Sequence, residues 1–180
     1  LGANLKYSSC YYEDGAADLD AAEAAMLRLS CQRAGLREGM DILELGCGWG
    51  SLTLWMARHY PGSRITAVSN SALQRRYIEG RCRDLGLHNV VVLTADMNRF
   101  EAPGTYDRVV SIEMFEHMRN YRRLLERVAG WLRDDGRLFV HIFCHRENAY
   151  VFQDEGKDDW MGRYFFTGGL MPSDDLLHRF

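Results

Sequence analysis

The chain contains no C-x-x-C pair, and its five cysteines, Cys10, Cys31, Cys47, Cys82 and Cys144, are odd in number. That pattern argues for reduced thiols and against a zinc site, so no metal is expected. Charge of one sign is also scarce. The net charge is −3 and Lys and Arg are scattered, adjacent only at Arg75-Arg76 and Arg122-Arg123, which leaves no basic stripe for nucleic acid and no acidic tail. No apolar run approaches the ~18 residues of a membrane span. The start at Leu1 shows neither the charged nor the apolar region of an export signal. The expectation is a cytoplasmic protein with no nucleic-acid partner and no stable membrane insertion, and an oligomer is left open. What the chain does have is 47% hydrophobic content over 180 residues, enough for one globular domain with its own core.

Five short apolar runs, around Ile42 to Leu45, Ile65 to Val68, Val90 to Leu93, Val109 to Ile112 and Leu138 to Phe143, are each bracketed by turn residues and read as strands. Helical patterns fill the gaps. Asp20-Ala21-Ala22-Glu23 looks like a capping box opening a helix with Ala22, Ala25, Met26 and Leu29 as its apolar stripe, and Gly35 can end it. Tyr121, Leu124, Leu125, Val128 and Leu132 line one face of another helix. Strands alternating with helices in this way imply an α/β fold with a mostly parallel sheet.

The first run, Ile42-Leu43-Glu44-Leu45, passes straight into Gly46-Cys47-Gly48-Trp49-Gly50 and then into a helix. Glycines here let a ligand lie against the main chain, and the helix start offers free N–H groups. A dinucleotide turn has the spacing G-x-G-x-x-G. The spacing here is E-x-G-x-G-x-G, which resembles motif I of class I S-adenosylmethionine (AdoMet) methyltransferases, with Glu44, Gly46, Gly48 and Gly50 on that pattern.

In open α/β sheets ligands sit beyond the carboxyl ends of the strands. After the second run come Ser69, Asn70, Ser71 and Gln74, with no acid for a ribose. Asn70 and Gln74, four apart at a helix start, could hydrogen-bond it instead, although Asn70 would serve equally as a helix cap. After the third run, Asp96 can accept from an adenine amino group while Met97 packs on the ring. A helix cap is the alternative for Asp96 as well.

Four segments together resemble one family: Lys6-Tyr7-Ser8-Ser9-Cys10-Tyr11, Leu45 to Gly50, Thr66-Ala67-Val68-Ser69-Asn70-Ser71 and Glu113-Met114-Phe115-Glu116-His117-Met118. The chain is similar to the branch that joins cyclopropane fatty acid synthases and mycolic acid methyltransferases to plant coclaurine N-methyltransferases. The resemblance implies a Rossmann-like class I AdoMet methyltransferase with helices on both faces of the sheet. It also implies that Tyr7 and Ser8 reach the AdoMet tail, Gly46 and its neighbours underlie it, Asn70 and Gln74 hold the ribose region, and Asp96 and Met97 meet the adenine. Ile112 would line the same pocket. Residues 1–35 would then be a cap segment and helix contributing to the cofactor site, and residues 36–180 the AdoMet-binding core. A complete sheet of this class has seven strands, so a C-terminal hairpin is expected to be missing after the helix-like tail Asp174 to Phe180.

The two branches of the resemblance differ in chemistry. The synthases imply a bicarbonate base held in part by a cysteine in a Y-S-C segment, where this chain has Ser9. They also show glycine where this chain has Glu113. Both departures match the coclaurine pattern, which implies an amine acceptor. On a helix, Glu113, Glu116 and His117 would share a face. An alkylammonium substrate, with a pKa near ~10, must be attracted and then deprotonated. Two carboxylates suit the first task and a histidine the second, although a solvated helix face or an incidental ion pair would look the same.

His141 is a synthase-like feature and keeps a lipid acceptor as the alternative, while a core histidine is its plain reading. Tyr150, Phe152, Trp160, Tyr164, Phe165 and Phe166 would suit a lid over an aromatic substrate or would be ordinary core. Of these, His141, Tyr150 and Trp160 are taken as substrate-facing. Asp154, Glu155, Asp158 and Asp159 read as a solvated loop. A third reading is a non-catalytic AdoMet-binding module that kept the glycine turn.

Overall fold

Apolar residues at every position of Ile42, Leu43 and Leu45 bury the first strand on both sides, as expected for the middle of a parallel sheet. A computed structural model of the protein describes residues 1–12, 15–153, 156 and 160–180. Asp154, Glu155, Asp158 and Asp159 lie outside the described residues. The elements run α1 (Leu19–Arg33), β1 (Asp41–Leu45), α2 (Ser51–His59), β2 (Arg64–Ser69), α3 (Ala72–Asp84), β3 (Val90–Thr94), β4 (Tyr106–Ile112), α4 (Tyr121–Trp131) and β5 (Leu132–His141). They continue with β6 (Tyr150–Val151), α5 (Trp160–Tyr164) and β7 (Leu170–Met171). The main sheet has the order β3-β2-β1-β4-β5. β1 and β2 are parallel, with Ile42 opposite Ile65 and Leu45 opposite Val68. β2 and β3 are parallel too, with Ile65 opposite Val90. The strand order reverses beside β1, as in doubly wound folds that bind ligands at that switch point. Among the described residues no helix is long and apolar enough to cross a membrane.

The chain divides into two compact units. The first comprises Leu1–Val110 with Trp131–Phe139, and the second Ser111–Gly130 with Val140–Phe180. The first holds most of the sheet. In the second, β6 and β7 form a small antiparallel sheet that the sequence pattern does not reveal, because two-residue strands have no measurable alternation.

Several local expectations are corrected. The capping box at Asp20 and Glu23 is not formed: the cap of α1 is Asp18, which accepts from the Ala21 N–H at 2.9 Å. Asp20 and Glu23 instead accept backbone N–H groups from residues 2–4, a long-range demand that local spacing cannot show. Gly35 does follow the end of α1, where its N–H donates to Gln32 and that of Leu36 to Cys31 in a Schellman arrangement. α4 buries Tyr121, Leu124 and Val128 as its stripe requires. It stops at Trp131, however, and β5 begins six residues before the expected Leu138 and ends at His141 rather than Phe143. The tail forms only a 3₁₀ turn, Leu176–Arg179.

At the start of the strands, Arg133 donates to Asp41 at 2.5 Å and to Asp107 at 2.6 Å, while Arg64 holds Asp41 through two bonds of 2.6 Å. Burial alone would raise both carboxyls, but the arginine hydrogen bonds outweigh it and hold Asp41 and Asp107 below the usual carboxylate range. A depressed folded-state pKa contributes stability that is present above the unfolded value and is lost as pH falls through the folded one. Arg133→Gln is therefore expected to lower Tm at pH 7. The gap from wild type should close as pH drops below the ordinary aspartate value, and melting curves across that range check it.

Candidate active site

At the carboxyl end of β1 the chain turns so that the N–H groups of Gly46 and Cys47 both donate to the Val68 carbonyl, at 3.0 and 2.9 Å. Gly46, Gly48 and Gly50 take φ values of 80°, 52° and 85°. A Cβ at Gly50 would come within 2.7 Å of Ile78, which is buried in a cluster with Cys47, Ala67, Cys82 and Val92. At Gly48, among the described residues, the only atom a Cβ would meet is Cε2 of Tyr7, at 3.3 Å. The two glycines therefore have different reasons: Gly50 seats the turn on the core, and Gly48 keeps the space beneath the Tyr7 ring. Gly50 also begins α2 without a side-chain cap, leaving its first N–H groups for other acceptors.

Glu44 is only 4% exposed. Burial pushes its carboxyl up to about 7, against a hydrogen bond from Thr53 at 2.5 Å. Burial and then the Glu44 carboxylate push the Cys31 thiol up to about 12 and raise that of Cys47, so both are protonated and unreactive. Thr53, nine residues after Glu44, carries no sequence signal for this contact.

Ser71, not Asn70, caps α3, accepting from the Gln74 N–H at 3.3 Å. Asn70 stays exposed one residue before the cap. The Gln74 side chain accepts from the Ser69 hydroxyl at 2.5 Å, so the pair does not point outward from one helix turn as its spacing suggests. Asp96 is exposed and closes a turn, not a helix: its Oδ1 accepts from the N–H of Asn98 at 2.9 Å and from its side chain at 3.1 Å. Those bonds hold the Asp96 carboxyl below the usual range. Met97 beside it is half-buried, and Tyr7 and Ser8 are exposed. All these groups belong to the first unit. Ile112, half-buried at the end of β4, falls in the second.

The acidic group follows β4 directly, and its geometry corrects the helical-face expectation. Glu113 has φ 52° and lies outside the short 3₁₀ helix Phe115–His117. Its N–H donates to the carbonyl of His141 at 2.8 Å. A non-glycine residue held in the left-handed region marks a backbone determined by its surroundings, often at functional sites. Glu116 turns inward and is 1% exposed. Among the described residues its Oε2 has no hydrogen-bond partner. Burial, with a further push from the Glu113 charge, raises the Glu116 carboxyl to about 7. His117 turns the other way and stays exposed, its ring 5.0 Å from that of Phe166, and partial desolvation on that side lowers its pKa. Tyr121 closes the segment by donating to the Phe115 carbonyl at 3.0 Å.

Phe166 is the hub of a ring cluster in the same unit. Phe143 and Phe152 each lie 5.2 Å from it, the second stacked. Tyr150 meets Phe152 edge-on at 6.0 Å and Trp160 meets Phe165 at 5.8 Å, both with exposed outer faces. Phe166 also accepts the N–H of Gly169 at 2.8 Å, and a Cβ at Gly169 would collide with the Glu116 carbonyl. Sequence reading groups Phe166 with the aromatic tail but does not find it under His117, and the adjacent Gly168-Gly169 pair is the only hint of a close approach. His141 contributes its carbonyl to Glu113, and its ring position at the end of β5 is half-buried.

Comparison with known proteins places this geometry in context. The chain is 46% identical over 170 residues to (S)-coclaurine N-methyltransferase of Thalictrum flavum subsp. glaucum, covering 94% of this chain and 47% of that protein. It is 33% identical over 171 residues to the cyclopropane-fatty-acyl-phospholipid synthase of Escherichia coli (strain K12), covering 94% and 42%. The crystal structure of coclaurine N-methyltransferase bound to N-methylheliamine and SAH superposes with a TM-score of 0.92 at 44% identity, over 99% of this chain and 53% of that one. The chain thus spans about half the length of the relatives it matches, and it has their Rossmann-like fold. The family model described as mycolic acid cyclopropane synthetase matches residues 1–179, and the chain belongs to that family.

Proposed function

We propose that this chain carries the cofactor site and the acid–base group of an AdoMet-dependent methyltransferase that acts on the nitrogen of a small amine. The observation that supports this best is the carboxyl of Glu116, buried yet with one oxygen unpartnered among the described residues, next to Glu113 and followed by His117. A buried carboxyl with one oxygen left unpartnered suits a cationic ligand. The glycine turn fits AdoMet in that Gly48 leaves open the space a side chain would fill. Tyr7, Ser8, Glu44, Gly46, Gly48, Gly50, Asn70, Gln74, Asp96, Met97 and Ile112 are the residues assigned to hold it. When bound, AdoMet supplies a methyl group already activated by its sulfonium. Residues 1–35 serve as the cap segment and residues 36–180 as the core.

The remaining work belongs to the chain's own groups. Glu113 and Glu116 attract the ammonium form of the substrate. His117, whose pKa partial desolvation lowers toward the neutral form, takes the ammonium proton and leaves the nitrogen lone pair free. Tyr150, Trp160 and the Phe166 cluster give an aromatic amine surfaces for stacking and cation–π contact. An odd number of cysteines with no C-x-x-C pair accords with a reducing, cytoplasmic location.

A second reading, a lipid-directed synthase, is favoured by the synthase-like histidine at position 141, which the Glu113 N–H to His141 carbonyl bond places beside the acid group. Incubating the full-length protein with methyl-labelled AdoMet and a mixed panel of benzylic amines and unsaturated phospholipids separates them. Label is expected in the amines and independent of bicarbonate, whereas bicarbonate-dependent label in the lipid overturns the amine reading. AdoMet binding with no label anywhere would favour a non-catalytic module.

A further inference from the structure

Glu23 has no part in the proposed chemistry, yet it is the most deeply buried carboxylate of α1, at 0% exposure. Its Oε1 accepts the N–H of Gly2 at 2.8 Å and its Oε2 that of Asn4 at 2.9 Å. Asp20, one turn earlier on the same helix, accepts the N–H of Ala3 at 2.7 Å. Three consecutive backbone donors of a turn, itself closed by the Leu5 N–H to the Gly2 carbonyl at 3.1 Å, are thus gripped by two side chains of one helix. Further along, the Tyr11 N–H donates to the Ala22 carbonyl at 3.1 Å, so the segment is fixed to α1 at both ends. Between these ties Leu5 and Ser9 take left-handed φ values of 54° and 58°, conformations that persist in non-glycine residues only when their surroundings impose them. The stretch they bracket is Lys6-Tyr7-Ser8. Tyr7 is 60% exposed, so packing does not hold its ring, yet the ring reaches the space above Gly48.

We propose that Glu23 is a positioning residue for cofactor retention: it tethers residues 2–9 as a strap that keeps Tyr7 over the glycine turn. The inference rests on the reading of that turn as an AdoMet site. A strap ordered before the ligand arrives spares binding the entropy of ordering it, and a strap that must open slows the ligand's escape. In a Glu23→Gln variant the side-chain amide presents N–H to the backbone donors, so one tie becomes a donor–donor contact while the shape of the side chain is kept.

The test uses S-adenosylhomocysteine, with affinity from calorimetry and dissociation from stopped-flow displacement. E23Q is expected to bind about tenfold more weakly, the loss of roughly one hydrogen bond to a charged acceptor, with the change mostly in faster dissociation. Asp20→Asn, at an exposed site where folding is not at risk, should shift affinity the same way by about threefold. Y7A should weaken binding in wild type and add little in the E23Q background, because the ring is already released. A role confined to fold stability would lower Tm and leave the two losses additive. Wild-type protein that does not bind S-adenosylhomocysteine overturns the cofactor reading and the tether with it. Wild type that binds, alongside E23Q and D20N variants of unchanged affinity or additive Y7A and E23Q losses, overturns the tether alone.

Discussion

His117→Ala should slow methylation of a benzylic secondary amine by about 10²- to 10⁴-fold, the range for losing a positioned general base, with S-adenosylhomocysteine affinity nearly unchanged. The sharper expectation concerns pH. The base is needed only because the substrate arrives protonated, so the variant should recover toward wild type as pH approaches the substrate's own pKa near ~10. A residue that merely supported the fold would give no such recovery. Steady-state rates from pH 6 to 10 check both parts, and a deficit that stays constant across that range removes His117 from proton transfer. Its ring lies against Phe166, and the partial desolvation that lowers its pKa favours the neutral imidazole.

Glu116 should behave differently, because its task is attraction. With its carboxyl raised to about 7 by burial first and the Glu113 charge second, it is a carboxylate only above that value. KM for the amine is therefore expected to rise as pH falls through about 7, and Glu116→Gln should raise KM and flatten that dependence. Stability runs the opposite way. A carboxyl with a raised folded-state pKa binds its proton more tightly in the native state, so wild-type stability falls as pH climbs from 4.5, the ordinary value, to about 7. The span corresponds to about 3 kcal/mol at most. The Gln variant should escape that loss and be at least as stable as wild type at pH 8. A buried acid that weakens the fold while serving the substrate is the pattern of an active-site group.

The parts of this molecule legible in its sequence are those set by short-range pattern. The five main strands and the glycine turn follow from apolar runs and Gly spacing, which depend on neighbours a few residues away. The relation among Glu113, Glu116 and His117 was legible as a cluster but not as a geometry. Their spacing suits a helix, whereas the tie from Glu113 to His141, 28 residues on, pulls Glu113 out of helical conformation. Glu23 shows the same limit more plainly. S/T/D-x-x-E spacing at a helix start is a capping box when the partners are local, and nothing in those four letters indicates that residues 2–4 supply the N–H groups. The Gln74 side chain likewise accepts from the Ser69 hydroxyl, a contact its helix spacing does not show. For Glu113 and Glu23 the deciding contact comes from distant sequence and overrides the local expectation.

Gly48→Val is expected to abolish S-adenosylhomocysteine binding in calorimetry and leave the protein folded. The substitution meets little of the fold, since among the described residues an ideal Cβ at Gly48 finds only Tyr7 Cε2, at 3.3 Å, and that exposed ring can swing aside. The φ of 52° costs an L-residue about 1–2 kcal/mol, and more for a β-branched one, which a domain of ordinary stability survives. The added methyls fill the space assigned to the ligand. Gly50→Ala makes the contrasting case. Its Cβ would press on Ile78 at 2.7 Å, inside a buried cluster, at a φ of 85°. The expected loss there is about 2–4 kcal/mol in stability, seen as a lower urea midpoint, with binding lost only through unfolding. Comparing the two therefore separates what the turn does for the ligand from what it does for the fold. Undiminished affinity in a folded Gly48→Val protein would remove the glycine turn from the cofactor site. Loss of binding there, at near-native Tm, would show that the first unit reserves the space over Gly48 for a ligand.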